Sequence, residues 1–361
     1  MYLILEDLKK FWLFTNFTLE DLEKFFTNFT LEEVKKFFLS DSPLGWCQKP
    51  AQGTLRMFDQ NPRTDPRSTP YYKISVEMIN RKKWWHSALN TADCVNQTLR
   101  LVNLRRSIEK EGIKTDITAK IQGDGRIFIQ DGYHRLFCAD YIGYKKAIPV
   151  SLLDVDPKFR EIESLMLKLG SGKNTYHPID HPYFRDWNAW RADTPARLNV
   201  ILSKLGDAKT ILDIGACEGH FAINLAARGY DVTAIEANPD RAKVLKFFAD
   251  MRGLNFPIVI EDWRSYCART EKEFDAAIFL STFHHQVIEN GLGEFAKLGL
   301  IRAKKLFFEM ATNREPKMAK FPSMDNSDVV RRVMLSTKFT QFKKIYTGPS
   351  PFARDIFMFT R

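Results

Sequence analysis

The sequence predicts an α/β protein with two folded domains, and three observations lead to that prediction. The chain has 361 residues, which is more than one compact domain of ordinary size contains. From residue 208 onward, strand-like and helix-like segments alternate, which indicates a doubly wound, mostly parallel sheet. Residues 72–155 carry a second, mixed pattern that predicts a smaller α+β domain. Hydrophobic residues make up 44% of the chain, enough for two cores.

These patterns divide the chain into five segments. Residues 1–45 repeat a short amphipathic pattern, and residues 46–71 have the Pro, Gly, Asp and Ser content of a linker. The smaller domain covers residues 72–155. Residues 156–204 are aromatic and polar and predict a helical connector. Residues 205–361 form the larger α/β domain.

The amino-terminal repeat consists of LEDLKKFW at residue 5, LEDLEKFF at residue 19 and LEEVKKFF at residue 31. Thr18 and Thr30 precede the last two units, each with an acid three residues later, which is the arrangement of a capping box. Each unit predicts one short helix whose Leu and Phe face cannot be buried alone. The repeat is either a packing extension of the neighbouring domain or a hook for a partner chain.

In the smaller domain, YKISVEMI alternates like a strand and TLRLVNLRRSIEKEG predicts a helix that ends at Gly112. DITAKI and RIFIQ predict strands, followed by the helix HRLFCADYIG and the strand AIPVSLLD. Asp131, Gly132, His134 and Arg135 lie at the strand-to-helix turn, where amides, an imidazole and a guanidinium can hold a phosphate. The alternative is that Asp131 and His134 only pin the turn.

The clearest motif is KTILDIGACEGHFAINLAARGYDVTAIEANP. A strand runs into a turn from Gly215 to Gly219 and then a helix, and a second strand ends on the acid Glu236. Glycines let the backbone turn tightly and approach a ligand, while the acid can accept hydrogen bonds from a ribose diol. The turn lacks the G-x-G-x-x-G pattern of dinucleotide-binding dehydrogenases, which disfavours that class.

At these residues the chain resembles the class I S-adenosylmethionine-dependent methyltransferases, because LDIGACEG is similar to their first motif and IEANP to their second. The resemblance covers residues 205–361 and implies a Rossmann-like, seven-stranded sheet that FTQFKKIYTGPSPFARDIFMF closes with an antiparallel hairpin. It also implies S-adenosylmethionine as cofactor. Asp213, Gly215, Ala216 and Gly219 would line the methionine and ribose end of that cofactor.

Further along, the same resemblance implies the residues for the rest of the cofactor. Glu236 would hold the ribose hydroxyls, and Ala237 would flank the adenine. In VIEDWRSY, Asp262 would lie near the adenine amine, with Trp263 beside the ring. The alternative for these last two is a surface acid and a core tryptophan.

The segment FDAAIFLSTFHH predicts the fourth strand and the loop where substrate and cofactor meet. His284 and His285 stand there, and histidine is the natural base for a hydroxyl or amine acceptor. One of the two is the candidate catalytic base; alternatively, the pair only packs or orients the loop. The loop has neither the [DNS]-P-P-[YFW] pattern of exocyclic-amine DNA methylases nor the Pro-Cys of cytosine-C5 enzymes, so both chemistries are disfavoured.

Residues 72–155 resemble the ParB/sulfiredoxin superfamily through SIEKEGI and IQDGYHRLFCADYIGYKKAIPV. The resemblance implies that Gly132, His134 and Arg135 contact the phosphates of ATP or CTP, with Asp131 binding Mg²⁺ or acting as a base. Tyr133 stands where sulfiredoxins have cysteine, and the helix-turn-helix of DNA-partitioning members has no clear counterpart. A kinase-like or purely nucleotide-binding role remains.

Charge and composition indicate which classes of partner to expect. The formal net charge of +10 favours an anionic partner such as a nucleotide, a nucleic acid or a phosphorylated metabolite; alternatively, the surface is simply basic. The five cysteines are scattered without a C-x-x-C pair, which indicates a reducing cytoplasm and no metal site. No apolar run approaches the roughly 18 residues of a membrane span, and MYLILEDLKKFW is charged too early for a signal peptide. We therefore expect a cytoplasmic protein without a membrane partner.

The resulting hypothesis is a methyltransferase that acts on a hydroxyl or amine of an anionic small molecule or nucleic-acid-related substrate, with a nucleotide-binding ParB-like module. One alternative is a nucleic-acid-binding regulator whose methyltransferase fold only binds cofactor. Another is a ParB-like kinase that phosphorylates a substrate. The sequence leaves the oligomeric state open.

Overall fold

The structure, a computed structural model, describes residues 26–32, 43–81, 90–349 and 354–361. The chain divides into two compact units, Met1–Phe159 and Arg160–Arg361. The first unit contains the predicted smaller domain, and the second contains the predicted doubly wound domain. The five predicted segment boundaries stay predictions.

A four-stranded sheet forms the centre of the first unit, with the strand order β1-β4-β2-β3. The strands are β1 (Phe26–Phe29), β2 (Ile117–Ile121), β3 (Ile127–Asp131) and β4 (Ile148–Val155). Strand β2 pairs parallel with β4, whereas the other two pairs are antiparallel. The strands predicted from DITAKI, RIFIQ and AIPVSLLD are confirmed.

Helices supply the rest of the core of this unit. They are α1 (Pro43–Gln60), α2 (Pro70–Asn80), α3 (Thr91–Glu111) and α4 (Tyr133–Tyr141). Leu55, Tyr71, Leu101 and Phe137, one from each helix, belong to a single buried cluster. The predicted helices at 98–112 and 134–143 are confirmed, and Gly112 caps α3 with φ 82°.

Two predictions for this unit are wrong. Residues 72–79 form part of α2 and not a strand, because Thr69 caps the helix, Pro70 opens it, and Tyr71 and Ser75 are buried one turn apart. Residues 46–60 belong to α1 and not to a linker. Their Pro and Gly are outweighed by apolar residues at helical spacing, Cys47, Ala51, Leu55 and Phe58, all of which are buried.

Most of the amino-terminal repeat lies outside the described residues, including Thr18 and the whole first unit of the repeat. Within the described part, Phe26–Phe29 pairs with β4 as a strand, and Leu31 and Glu32 are helical directly after Thr30. The prediction of a helix start at Thr30 agrees with this short stretch. The three-helix prediction itself stays untested.

The second unit begins with a segment that precedes the large sheet. Its elements are α5 (Pro157–Gly170), which contains the division between the units, the short parallel pair β5 (Asn174–Thr175) and β6 (Asn188–Ala189), and α6 (Thr194–Leu205). A single-turn 3₁₀ helix, Pro182–Phe184, lies between the two short strands.

A seven-stranded sheet follows, with the order β12-β13-β11-β10-β7-β8-β9. Its strands are β7 (Thr210–Ile214), β8 (Asp231–Ile235), β9 (Ile258–Val259), β10 (Phe274–Leu280), β11 (Ala303–Glu309), β12 (Gln341–Thr347) and β13 (Asp355–Thr360). Strands β7 to β11 are mutually parallel, and β13 and β12 close the sheet as an antiparallel pair. The predicted doubly wound sheet and its closing hairpin are confirmed.

Helices cover both faces of this sheet. They are α7 (His220–Ala226), α8 (Pro239–Met251), α9 (Trp263–Arg269), α10 (Phe283–Asn290) and α11 (Asn326–Ser336). Neighbouring strand residues such as Ile278 and Phe279 belong to two different buried clusters, because successive side chains point to opposite faces. Since the chain leaves β7 and β10 in opposite directions along the sheet, a crevice is expected where these two strands end.

Among the helices of the described residues, none is both long enough and apolar enough to cross a membrane.

Candidate active site

A cleft of about 220 Å³ opens at the carboxyl edge of the seven-stranded sheet, next to the ends of β7, β8 and β10. The structure brings six of the predicted site residues together on its wall: Gly215, Glu236, Ala237, Asp262, Trp263 and His285. It adds residues that the sequence did not single out: Tyr176, Cys217, Ile235, Arg241, Glu261, Ser281, Thr282 and Gln286.

The glycine turn after β7 is held by backbone bonds. Gly215 and Ala216 both donate their amides to the Ile235 carbonyl, at 2.9 and 3.0 Å. Gly215 has φ 73°, and a Cβ there would lie 2.5 Å from the Thr282 Oγ1, so only glycine fits. Ala216 is buried, and Gly219, with φ 88°, caps α7. These last two build the turn and do not line the cleft.

Glu236 is the acid that faces the cleft. Its Oε2 accepts from the Cys217 amide at 2.8 Å, and its Oε1 accepts from the Asn238 amide at 2.9 Å. The two bonds fix the carboxylate in place, and each oxygen keeps a further lone pair for a ligand hydroxyl. Asp213 is buried behind the turn and accepts from the Ala222 amide at 3.0 Å; burial raises its pKa to about 7.

Asp262, which the sequence predicts to lie near the adenine, is already paired with an arginine. Arg264 donates to both carboxylate oxygens of Asp262, at 2.8 Å each, and these bonds lower the pKa of Asp262. Trp263 is almost fully buried, packs on Phe279 with ring centroids 5.1 Å apart, and donates its indole N–H to Gln286 at 2.9 Å. Trp263 is therefore a core residue that also reaches the cleft.

The two candidate histidines occupy different environments at the start of α10. His285 is exposed and lines the cleft, whereas His284 is fully buried and its Nε2 lies 2.9 Å from the Lys317 Nζ. Partial burial lowers the pKa of His285, and the positive charges of Lys317 and Arg354 lower it further. The pKa of His284 is also lowered, first by burial and then by Lys317. His285 is thus the imidazole that a ligand in the cleft can meet.

A buried ionic network lies behind this wall, centred on Glu309 at the end of β11. Ser281 Oγ donates to its carboxylate at 2.7 Å, and Arg191 donates at 3.2 and 3.1 Å. Arg354 donates at 3.3 Å, and Arg197 forms a further ion pair. Both Glu309 and Arg197 have no exposed side-chain surface.

Two more carboxylates complete the network. Glu315 accepts from Arg354 at 2.5 and 2.7 Å and lies 3.5 Å from the Lys317 Nζ. Asp193 lies 3.8 and 3.6 Å from Arg191 and Arg197. The arginines come from the segment before the sheet and from the edge of β13, so no local sequence motif marked them.

Two residues of the cleft wall have strained backbones. Cys217 and Ser281 have φ values of 54° and 59°, in the left-handed region that residues other than glycine rarely adopt. Such conformations persist where the surroundings hold them and are concentrated at functional sites. Here Cys217 donates to Glu236, and Ser281 donates to Glu309 through both its hydroxyl and its amide.

In the first unit, the predicted phosphate-binding residues meet at one turn. Gly132 has φ 107° and caps α4. Arg135 donates to the Thr115 carbonyl at 2.9 Å and to Asp131 at 2.8 Å, and His134 bonds to the Tyr71 hydroxyl. These contacts match the alternative in which the residues pin the turn. Nucleotide binding stays a prediction.

The strand order, the glycine turn after β7 and the acid after β8 together define a Rossmann-like fold of the class I methyltransferase type. Residues 211–298 match the family described as a methyltransferase domain. The second unit therefore contains an S-adenosylmethionine-dependent methyltransferase domain, an enzyme domain whose cofactor is S-adenosylmethionine.

Known relatives agree with this class. The O-antigen chain terminator bifunctional methyltransferase/kinase WbdD of Escherichia coli is 30% identical over 156 residues, which are 38% of this chain and 21% of that protein. The ubiquinone biosynthesis O-methyltransferase of Serratia proteamaculans (strain 568) is 28% identical over 93 residues, 25% of this chain and 39% of that protein. A crystal structure of WbdD shows a TM-score of 0.47 at 24% identity, covering 55% of this chain and 46% of that chain. In the sequence comparison, the matched region spans about a fifth of the length of WbdD.

The residues of the cleft fit the cofactor. The amide-anchored carboxylate of Glu236 suits a ribose diol, and the bare Cα of Gly215 allows a ligand to approach the turn closely. The sulfonium carries a positive charge, and the cleft wall offers the carboxylates of Glu236, Glu261 and Asp262. None of these observations concerns the methyl acceptor.

The second unit should lose stability as the pH falls from 7 to 5.5. Folding lowers the pKa of His177, His220, His284 and His285 from 6.5, so the unfolded chain binds protons that the folded chain does not. The stability that the four histidines contribute is present above pH 6.5, their pKa in the unfolded chain. It is lost as the pH falls toward their lower pKa values in the folded chain. Asp213, with its pKa raised to about 7, opposes the trend by binding a proton when folded. Because four histidines oppose one carboxyl group, the net effect should be a loss of stability.

Urea unfolding followed by tryptophan fluorescence at both pH values measures this difference. The His177→Gln variant, in which an amide can still bond to Thr194, should show a smaller loss than the wild type. A free energy of unfolding that stays constant or rises toward pH 5.5 would contradict the prediction that folding lowers the pKa of these histidines.

Proposed function

We propose that this chain transfers a methyl group from S-adenosylmethionine to a hydroxyl or amine of an anionic substrate, with His285 as the catalytic base. The observation that carries the proposal is that His285 lies on the same cleft as Gly215 and Glu236. The cofactor supplies an electrophilic methyl group on a sulfonium. The task of the protein is to hold the acceptor in line with that group and to take up the proton that the acceptor loses.

His285 has the properties that this role needs. A base must be unprotonated at the working pH, and its partial burial together with Lys317 and Arg354 keeps its pKa below 6.5. Its exposure on the cleft lets an acceptor hydroxyl or amine reach the ring. His284 is unsuited to this role because it is fully buried and its Nε2 is occupied by Lys317.

The network behind the cleft supports an anionic acceptor. Its four cations, Arg191, Arg197, Lys317 and Arg354, face three carboxylates, Asp193, Glu309 and Glu315. An unbalanced positive charge in a partly buried site favours an anion nearby. Lys317 is the most accessible of the four cations, with 39% of its side chain exposed.

WbdD is a bifunctional methyltransferase/kinase, which makes a phosphorylated acceptor a suitable first choice within this anionic class. Nucleotides, nucleic acids and phosphorylated metabolites all belong to it. We also propose that the protein is cytoplasmic and has no membrane partner.

Nucleotide binding by a ParB-like first unit is a separate proposal. ATP or CTP with Mg²⁺ would bind at Asp131, Gly132, His134 and Arg135. The support is the left-handed Gly132 at the start of a nine-residue helix, with a guanidinium in the first turn. Phosphate would compete with Asp131 for Arg135, since these two are paired at 2.8 Å. ATP consumption that depends on Asp131 would favour the kinase alternative.

S-adenosylmethionine binding tests the cofactor site. The wild type should bind the cofactor in isothermal titration, and Gly215→Arg should abolish binding because even a Cβ meets Thr282. Glu236→Ala should weaken binding about tenfold to a hundredfold through lost charge-assisted bonds to the ribose. The exposed Glu271→Ala is the matched control and should bind like the wild type. A wild type that fails to bind would refute the proposal.

Methyl transfer from labelled S-adenosylmethionine tests the acceptor class. Phosphorylated and carboxylated acceptors should be methylated with a kcat/KM at least about tenfold above that of their neutral counterparts, the effect of one charge-assisted contact. His285→Ala should lower kcat by roughly 10²–10⁴ and leave cofactor affinity unchanged. Asn290→Ala, at the exposed end of α10, is the control. Equal rates on neutral acceptors would overturn the anionic assignment. Salt-sensitive DNA binding without turnover would favour the regulator alternative.

Titration with ATP and with CTP, each with Mg²⁺, tests the first unit. Binding to the wild type should be lost in Arg135→Ala and retained in Arg126→Ala, an arginine of the turn between β2 and β3 that pairs with Asp124. If neither nucleotide binds to the wild type, the turn at Gly132 has only its structural role.

A further inference from the structure

Two neighbouring imidazoles of α10 are stacked on each other. The ring centroids of His284 and His285 lie 4.2 Å apart, and the rings are tilted by 36°. Only His285 faces the cleft; His284 is buried beneath it with no exposed surface. The position of the exposed ring therefore depends on how the buried ring is held.

The loop after β11 places the ammonium group of Lys317 next to the buried ring of His284. Pro316–Met318 forms a 3₁₀ turn that is anchored by the fully buried Met318. Asn313 closes the loop, because its amide donates to the Met324 carbonyl at 2.8 Å and its side chain donates to the Pro322 carbonyl at 2.7 Å. The turn places the Lys317 Nζ 2.9 Å from the His284 Nε2.

This bond assigns the tautomer of His284. An ammonium group can only donate, so Nε2 must accept, and the neutral ring must carry its proton on Nδ1. In the part of the chain that the structure describes, the buried Nδ1 has no hydrogen-bond partner. A buried donor without a partner is costly, so packing against His285 and the bond from Lys317 hold the ring where it is.

We propose that Lys317 is a positioning residue for methyl transfer: through its bond to His284, whose ring packs against that of His285, it orients the catalytic base. It also places a positive charge near His285. This inference rests on the proposed function, because it assigns a role to the group that serves the base. Lys317 belongs to no recognisable sequence motif, and it lies in the loop after β11, away from the glycine turn and Glu236.

The charges around His285 agree with this role. Lys317 and Arg354 face it from the loop after β11 and from the edge of β13, and both lower its pKa. Glu289 on α10 and Glu315 in the loop act in the opposite direction. Glu315 holds Arg354 through two bonds of 2.5 and 2.7 Å but lies 3.5 Å from Lys317, so the ammonium is the less neutralised of the two cations.

Nuclear magnetic resonance titration of the full chain tests the inference without a known acceptor. Imidazole ¹⁵N and ¹³C signals report the pKa of His285 and the tautomer of His284. In Lys317→Met the pKa of His285 should rise, because a nearby like charge is removed. In Lys317→Arg it should stay near the wild-type value. The control is Lys320→Met, an exposed lysine of the same loop that should leave the titration unchanged.

The outcomes separate the possibilities. A higher pKa in Lys317→Met that Lys317→Arg does not show, with the wild-type His284 protonated on Nδ1, supports the role. An unchanged pKa in a folded Lys317→Met variant, or a wild-type His284 protonated on Nε2, overturns it. Isothermal titration of the same variants with S-adenosylmethionine checks that the cofactor site is intact. If the wild type fails to bind the cofactor, the proposed function falls, whereas the His285 titration still decides the effect of Lys317.

Discussion

The wall of the cleft that carries Ser281 depends on one buried carboxylate, Glu309. It stands at the end of β11 and holds Ser281 from the loop after β10, Arg191 and Arg197 from the segment before the sheet, and Arg354 from the edge of β13. Removing one partner of a buried ionic group typically costs about 3–5 kcal/mol, because the remaining charge is left without compensation. Parts of the chain that are distant in sequence are thereby held in one arrangement.

The cofactor side is built by a different kind of contact. Its turn is fixed by backbone amides that donate to the Ile235 carbonyl and to Glu236, and glycine is required where Gly215 meets Thr282. Backbone contacts tolerate changes in the surrounding side chains, whereas an ionic network depends on every member. The glycine turn can therefore tolerate changes around it, whereas the Glu309 network cannot.

This difference explains what the sequence could predict. The strands, the glycine turn and Glu236 lie in one continuous stretch, so local patterns predicted the fold and the residues that the structure places on the cleft at Gly215 and Glu236. Arg191 and Arg354 come together on Glu309 only in the folded chain, and no local pattern marks them. His284 and His285 look equivalent in the sequence, and only burial separates them. In the first unit, the residues of α2 alternate like a strand, but Thr69 and Pro70 start a helix.

Strand β13 is the last strand of the sheet in chain order, so the contacts it makes can form only after the other strands have been synthesised. This strand inserts between β11 and β12, and Arg354 precedes it directly. The ribosome releases β7, the glycine turn and Glu236 well before it releases Arg354. A nascent chain can thus form the glycine turn while Glu315 still lacks its arginine and Glu309 is paired with Arg191 and Arg197. Until β13 arrives, the apolar strand β11 has an unpaired edge open to a chaperone or to another nascent chain.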